Sequence, residues 1–322
     1  MKKRWTSYII AFLVIISINF IAPRLLPGDP VSAIYGQEVL VKLPAEAVEY
    51  INRTYGLDRP AIVQYFDYLG SLFKGQLGYS YYHKAEVGSV LLSYLPYSLV
   101  LMGLAMVISN FLGVTAGIES GWRRGKILDR ILLGTIMFSS SFPSFFVGAL
   151  FLILLGSILG LLPVQGASTA YAGLTGLGFS IDFAKHLLLP LVSLVVVFLP
   201  SVYLLTRNSM VSNLSEPYIL LAKAKGLSAR RIRYVHAGKN SLIPVATQAG
   251  INLGTRLVTG ALFVEIVFSY PGMGTLIYNS ILNRDYPMLQ GSLLLVTVLV
   301  LLINFLADLM YVKLDPRIEY AY

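Results

Sequence analysis

The stretch Glu216-Pro-Tyr-Ile-Leu-Leu-Ala-Lys-Ala-Lys-Gly226-Leu-Ser228-Ala-Arg-Arg-Ile-Arg-Tyr-Val-His236-Ala-Gly-Lys-Asn-Ser-Leu-Ile-Pro244 decides how this chain is read. Apolar segments long enough to cross a bilayer lie on both sides of it. Glu216-Pro217 opens a helix, with proline at the first helical position and an acid beside the positive end of the dipole. Gly226 supplies a C-terminal stop. Ser228 then caps a second helix through Arg230–Ile243, which ends at Pro244. The expected result is two short helices joined at a glycine, projecting from the membrane and rich in cations. Ile219, Leu220, Leu221 and Leu227 give the first helix an apolar face that nothing else in the chain obviously buries. Basic loops in general satisfy topology and anionic lipid. An apolar face among the cations points further, to a docking element for another protein.

Hydrophobic residues make up 56% of the 322, charged residues 13%, and the mean hydropathy is +0.70. A soluble domain of this length has no interior large enough for that apolar content, so the solvent is lipid. The absence of cysteine excludes disulfides, thiolate metal sites and cysteine catalysis. His83, His186 and His236 are scattered, with no metal-binding spacing. The net charge of +9 is distributed as membrane topology demands, which argues against a nucleic-acid partner.

Crossing the hydrocarbon takes about 20 apolar residues. Segments 8–26, 95–118, 131–159, 186–206, 246–270 and 290–312 qualify. The expected fold class is therefore an all-α integral membrane protein with six transmembrane helices and an external segment between helices 1 and 2. Ser139-Ser140-Ser141-Phe142-Pro143 is predicted to bend or break the third span. One set of loops and tails carries Lys2, Lys3, Arg4, Arg123, Arg124, Lys126, Arg130, Arg207, Lys223, Lys225, Arg230, Arg231, Arg233, Lys239, Lys313 and Arg317. The other carries only Lys42, Arg53, Arg59, Lys74, Lys84, Lys185 and Arg284 over a longer combined length. The positive-inside rule places the first set, and both termini, in the cytoplasm.

The first span is too long for a signal-peptide core and lacks an Ala-x-Ala site, so it reads as a retained helix. The expected organisation is an N-terminal transmembrane helix over 1–27, an external segment over 28–94, a transmembrane core over 95–312 containing the cytoplasmic loop 207–245, and a tail over 313–322. Tyr65, Tyr68, Tyr79, Tyr81 and Tyr82, with short amphipathic runs, make the external segment a folded cap at the outer interface. Gly113/Gly117, Gly156/Gly160 and Gly250/Gly254 are small-residue pairs that let helix backbones approach closely in lipid.

Tyr218-Ile-Leu-Leu-Ala-Lys-Ala-Lys-Gly-Leu-Ser and His236-Ala-Gly-Lys-Asn-Ser-Leu-Ile-Pro resemble the cytoplasmic loop of ABC importer permeases, often called the EAA loop. More narrowly, the chain resembles the dipeptide/oligopeptide/nickel permease family. Pro27-Gly-Asp-Pro, Tyr55-Gly-Leu-Asp-Arg-Pro, Phe268-Ser-Tyr-Pro-Gly-Met-Gly, Arg284-Asp-Tyr-Pro-Met-Leu-Gln-Gly and Asp308-Leu-Met-Tyr-Val-Lys-Leu-Asp-Pro-Arg-Ile extend the likeness over nearly the whole chain. The resemblance implies an inner-membrane permease half for di- or oligopeptides. It also implies that Tyr218, Ala222, Ala224, Lys225, Gly226, His236, Asn240 and Pro244 form an ATPase-coupling loop. Two positions depart from the family. Leu220 occupies the place of the glutamate that names the loop. Gly238 stands where an apolar residue is usual, and is expected to soften the second helix by roughly 1 kcal/mol relative to alanine.

A phosphate-binding loop needs Gly-x-x-x-x-Gly-Lys followed by Ser or Thr. Gly121-Trp-Arg-Arg-Gly-Lys-Ile has the wrong spacing and no hydroxyl. Energy must therefore arrive through Glu216–Pro244 from a separate ATPase. No cofactor is expected. The expected partners are two ABC ATPase subunits, a second homologous permease subunit, an extracytoplasmic substrate-binding protein and membrane lipid, with no nucleic acid. Arg256, about 15 Å into the fifth span at 1.5 Å per residue, is expensive at that depth. With Asn252 and Ser140 it is a candidate lining of the pathway, and as a cation it would attract a peptide carboxylate. A partner on a neighbouring helix is an equally good reading for it. Glu265 and Asp308 read as packing or capping acids. Nickel, metallophores and short saccharides are alternative cargoes within the same class. From other classes, an ion-coupled carrier predicts paired intramembrane carboxylates and an internal repeat, and a membrane-bound enzyme predicts a catalytic set. The residues show none of these convincingly, so the expected chain is a non-catalytic membrane subunit.

Overall fold

A computed structural model describes residues 2–25, 44–54, 58–248 and 261–314. The chain divides into two compact units, Met1–Tyr97 with Gly272–Leu301, and Ser98–Pro271 with Leu302–Tyr322.

In the first unit, α1 (Lys2–Arg24) follows from an apolar run behind a basic start. Its last turn closes on itself, because Arg24 Nη1 donates to the Phe20 carbonyl at 2.8 Å and the guanidinium lies 3.5 Å over the Phe20 ring. Two short helices follow, α2 (Ala45–Thr54) and α3 (Ala61–Phe73), then the hairpin β1 (Tyr79–Ser80) and β2 (Ala85–Glu86). The α3 tyrosines seat that helix on α1. Tyr65 and Ser17 hydroxyls share a hydrogen bond of 2.8 Å, Phe20 meets the Tyr65 ring edge-on at 5.2 Å, and Arg24 Nη2 donates to Gln64 at 2.7 Å. Burial pushes the Tyr68 phenol up to about 12, against the opposing pull of Arg24. Tyr65 and Gln64 thus hold α3 against α1.

Asp285 is the other fastening of this unit. It lies directly before α12 (Tyr286–Leu314), and its Oδ1 accepts the Met288 amide at 3.2 Å, the capping geometry expected of an aspartate at that position. The second oxygen accepts from the Ser80 hydroxyl and the Tyr82 amide, which ties the hairpin to the start of the helix. Around it Val87, Leu91, Met273, Leu276 and Met288 form a buried cluster. Gly291 lets α12 pass so close to Val87 that a Cβ there would overlap the valine side chain.

The second unit is organised by α4 (Val87–Trp122) and α7 (Gly176–Leu214). A Cβ at Gly113 would lie 2.8 Å from Val202 Cβ, one at Gly117 2.6 Å from Thr206 Cβ, and one at Gly121 2.7 Å from Met210 Cβ. Each glycine is one turn further along α4, and each neighbour is one turn further along α7. The seam ends in a buried polar knot. Arg207 donates to both oxygens of Asp129, at 2.7 and 2.8 Å, and Ser120 bonds to Asp129 and to the Tyr203 hydroxyl. Asp129 belongs to α5 (Ile127–Ser140), so three helices meet there.

Beyond α5 the chain turns through 99° at Ser141–Pro143 into α6 (Ser144–Phe151), which widens to a π turn over Leu152–Ile158. Proline fixes the break, and Phe142 bridges it, 5.1 Å from Phe138 and 5.3 Å from Phe146. Near the end of the unit, α10 (Leu262–Val267) buries Glu265, which accepts from Ser98 at 2.6 Å, a packing role as the sequence implied. The helix α11 (Met273–Leu282) precedes α12 in the first unit.

Among the described residues, α4, α7 and α12 are long and apolar enough to cross a membrane, and the bent α5–α6 pair adds a fourth candidate. These coincide with the expected second, fourth, sixth and third spans, but α4 and α7 extend well past the expected ends. The first span coincides with α1, whose described apolar part, Phe12–Arg24, is shorter. Most of 246–270, including Gly250/Gly254, lies outside the described residues. Gly156/Gly160 is not a helix seam. A Cβ at Gly156 would lie 2.6 Å from Val164 of the following loop, and Gly160 is a turn residue with φ +60°.

Gly117→Ala is expected to destabilise the chain by about 1–3 kcal/mol, because Thr206 Cβ and the Tyr203 carbonyl cannot rotate away. Gly103→Ala, which meets nothing within 4 Å, is expected to be neutral or slightly stabilising. Thermal unfolding in detergent compares the two, and equal midpoints would remove the seam from the account. Asp129→Asn strands the Arg207 guanidinium and should cost about 3–5 kcal/mol in the same assay. Arg130→Gln, at an exposed position, should leave the midpoint unchanged.

Candidate docking site

The loop after α7 begins with Glu216 in an extended conformation and Pro217 at the first position of α8 (Pro217–Ala224). The Glu216 side chain makes no capping bond. The Gly226 amide donates to the Lys223 carbonyl at 2.9 Å, the Leu227 amide donates to Ala222 at 3.2 Å, and Gly226 has φ +70°. This pair of bonds is a Schellman closure, which requires the left-handed residue that glycine supplies. Ser228 then accepts the Arg231 amide at 3.4 Å and starts α9 at Ala229. Both helix signals in the sequence are thus realised.

The course of α9 differs from expectation. After Ala229–Arg231 it widens into a π turn over Ile232–Gly238, then continues as α-helix over 239–248. Pro244 does not end it. Proline removes one helical hydrogen bond and crowds the carbonyl four residues back, and the burial of Ile232, Ala237, Ser241 and Val245 along the same helix offsets that loss. Gly238 is the last residue of that π turn. A Cβ there would sit 2.7 Å from the Arg233 carbonyl and 3.3 Å from Ile118 Cδ1, so the π turn and the contact with α4 both require glycine.

The apolar face of α8 is also divided otherwise than expected. Ile219 and Ala222 are buried with Ile118, Met210, Ile232 and Ala237, and Tyr218, Leu214 and Leu227 pack around them. Only Leu220 and Leu221 remain outward, 64% and 57% exposed. The loop is thus a platform built onto α4 and α7. Polar bonds fix it further. Ser241 donates to the Ala237 carbonyl at 2.8 Å and accepts from Asn213 at 3.0 Å. Arg233 donates to both oxygens of Glu119, at 2.8 and 3.0 Å, and the Tyr234 hydroxyl donates to the same carboxylate. Burial pulls the Arg233 guanidinium down, but Glu119 and Tyr234 outweigh it and hold it above its ordinary value.

The expected coupling residues separate into two groups. Ala222 is buried, and Tyr218, His236 and Pro244 are half-buried supports. Ala224, Lys225, Gly226 and Asn240 are exposed. Leu220, Leu221, Lys223, Arg230, Arg231 and Val235 of the same loop are exposed as well. No ion pair engages Lys223, Lys225, Arg230, Arg231 or Lys239 among the described residues. The exposed surface of the loop therefore combines an apolar pair with cations that make no ion pair among the described residues, which fits a partner with an apolar pocket and acidic groups beside it. Ser140 is exposed at the end of α5, where its hydroxyl bonds to the Met137 carbonyl at 2.7 Å, and it is not part of this surface. Arg256 and Asn252 lie outside the described residues. Sequence reasoning missed Glu119, Asp129 and Trp122. The available signal was an acid on each side of the basic run Arg123, Arg124 and Lys126, where the charge trend favours cations.

Two family descriptions match the chain. Residues 109–320 match the binding-protein-dependent transport system inner membrane component, and residues 1–102 match the N-terminal membrane component of the same systems. The di/tripeptide transport system permease protein of Pseudomonas aeruginosa is 35% identical over 99% of this chain and 98% of its own. The dipeptide permease of Escherichia coli is 32% identical, and the oligopeptide permease of Haemophilus influenzae 33%, each over 99% of this chain and 98% of the relative. With relatives matched end to end and both family descriptions satisfied, this chain belongs to the inner membrane components of binding-protein-dependent transport systems.

Proposed function

We propose that the chain is one of two permease subunits of an ATP-binding-cassette importer for di- and oligopeptides. The exposed Leu220–Leu221 pair, in a cation-rich loop packed on α4 and α7, carries this reading. A surface so firmly held and so poorly covered suits a partner that pushes on it. Two ATPase subunits dock on the 207–245 loops of the permease pair and supply the hydrolysis for which this chain has no phosphate loop. A substrate-binding protein delivers peptide from outside onto the 28–94 segment. The relatives named for dipeptide, di/tripeptide and oligopeptide transport support peptides as cargo over nickel or saccharides. The chain crosses the cell membrane six times with both termini in the cytoplasm, a reading supported by the distribution of lysine and arginine.

The decisive assay is ATP-dependent peptide uptake in proteoliposomes containing the chain with its ATPase, second permease and binding protein. Gly226→Pro forces φ near −65° where the loop needs +70°, so membrane insertion should survive while uptake falls to background. Leu221→Asp should prevent co-purification of the ATPase. Transport by the purified chain alone down an ion gradient, with no ATPase attached, would replace this reading with a carrier. For the pathway, Arg256 with Asn252 and Ser140 is assigned to the lining. Arg256→Leu should weaken uptake of peptides with a free C-terminal carboxylate more than uptake of their amides, and an unchanged preference sinks that assignment.

A further inference from the structure

Glu119 stands in the last turn of α4 and takes three partners from two directions. Arg233 and Tyr234 reach it from the π turn of α9, and Arg123 Nε lies 3.5 Å away on its own helix. The Arg233 guanidinium also lies 5.0 Å from the centre of the Trp122 ring, a further contact with the same turn of α4. Next to Glu119, Ser120 bonds to Tyr203 and Asp129, and Gly117 and Gly121 fit against α7. The same α4 turn therefore grips the docking platform on one side and the α4–α7–α5 knot on the other. Tyr234 is shared between the two functions, because it bonds to Glu119 while lining the outer hollow with Ser228, Arg230, Arg231 and Val235.

The element being gripped is itself unusual. A π turn is rare and concentrates at functional sites, since it is less favourable than the α-helix that could replace it. Here the turn is Ile232–Gly238, and glycine at its last position makes the wide turn sterically accessible. A charge-assisted bond from α4 to its second and third residues holds it in that form. A displacement of the outer face must pass through this bond, or through the apolar cluster below it, to move α4.

We propose that Glu119 is a positioning residue that transmits movement of the 217–248 platform into α4, so that ATP hydrolysis and peptide movement are coupled through its bonds to Arg233 and Tyr234. The inference rests on the reading of the platform as the ATPase docking surface, and the assay separates the two. The assembled importer is reconstituted with its binding protein, and three quantities are read: ATPase retained on the permease, ATP hydrolysed, and peptide taken up per ATP. Glu119→Gln is expected to retain the ATPase and hydrolyse ATP at a rate close to wild type. Peptide moved per ATP should fall about tenfold, the scale set by losing a hydrogen bond to a charged group. Tyr234→Phe, which removes one hydroxyl and no charge, should lower the same ratio by a smaller factor, and it decides the matter if the Glu119→Gln chain fails to fold and insert.

An unchanged ratio in both variants overturns the inference. So does a fall in uptake matched by an equal fall in hydrolysis, because that is the signature of a scaffold. Loss of the ATPase from Glu119→Gln alone would make the residue part of docking and also overturns it. Failure of the wild-type permease to retain any ATPase overturns the docking reading, and the inference with it.

Discussion

The rest of the second unit depends on the contact between α4 and α7, where the backbone at Gly113, Gly117 and Gly121 meets Val202, Thr206 and Met210 with no side chain between them. Lipid offers no hydrophobic drive to bring two apolar helices together, so close packing and polar bonds must do so. Three small residues at four-residue intervals supply the packing along about two turns. Ser120, Tyr203, Asp129 and Arg207 supply the polar bonds at the end of the seam, where bidentate geometry fixes rotation as well as distance. A seam fixed in this way has one register. Every element built on its far end inherits that register.

The platform after α7 is such an element. Its interior side chains, Ile219, Ala222, Ile232 and Ala237, lie on Ile118 and Met210, residues of the same two helices that form the seam. The glycine at 226 closes one helix and the glycine at 238 permits the wide turn of the next, so the two glycines serve different needs. One answers a backbone conformation, the other a close approach. The outcome is a loop that is basic and helical, yet anchored like a core element.

Local chemistry in the sequence reported local geometry well. Ser141-Phe-Pro143 bends the third span, Pro217 starts a helix, Gly226 stops one and Ser228 starts the next, because each of these residues acts through its own backbone or its nearest amides. Gly113 and Gly117 were legible as a seam, while the identical spacing of Gly156 and Gly160 marks a turn, since spacing alone does not say whether a second helix is there to receive the pair. The apolar face of α8 was half legible for the same reason. The side chains were visible, but Ile118 and Met210, which cover two of them, lie about a hundred and about ten residues away in the chain. Pro244 inside a continuing helix, and Gly238 as a requirement in place of a defect, both depend on that distant packing. Asp285 belonged to a stretch noticed only by likeness. Its position as helix cap and hairpin clasp gives the stretch a physical reason.

Charge completes the account of the platform. Glu119 and Asp129 flank the basic run Arg123, Arg124 and Lys126. Each is neutralised by an arginine with two hydrogen bonds, Arg233 for Glu119 and Arg207 for Asp129. The acids thus convert two of the many cations into internal fasteners. The cations that remain are sorted by position. Lys223, Lys225, Arg230, Arg231 and Lys239 are exposed on the platform, as are Leu220 and Leu221. Exposed cations alone would be satisfied by water and lipid headgroups, and an exposed leucine pair alone is ordinary for a surface. Their combination on a surface fixed from beneath is a face with defined shape and sign. Glu119 and Asp129, each tied to an arginine, are part of what fixes the layer beneath that face.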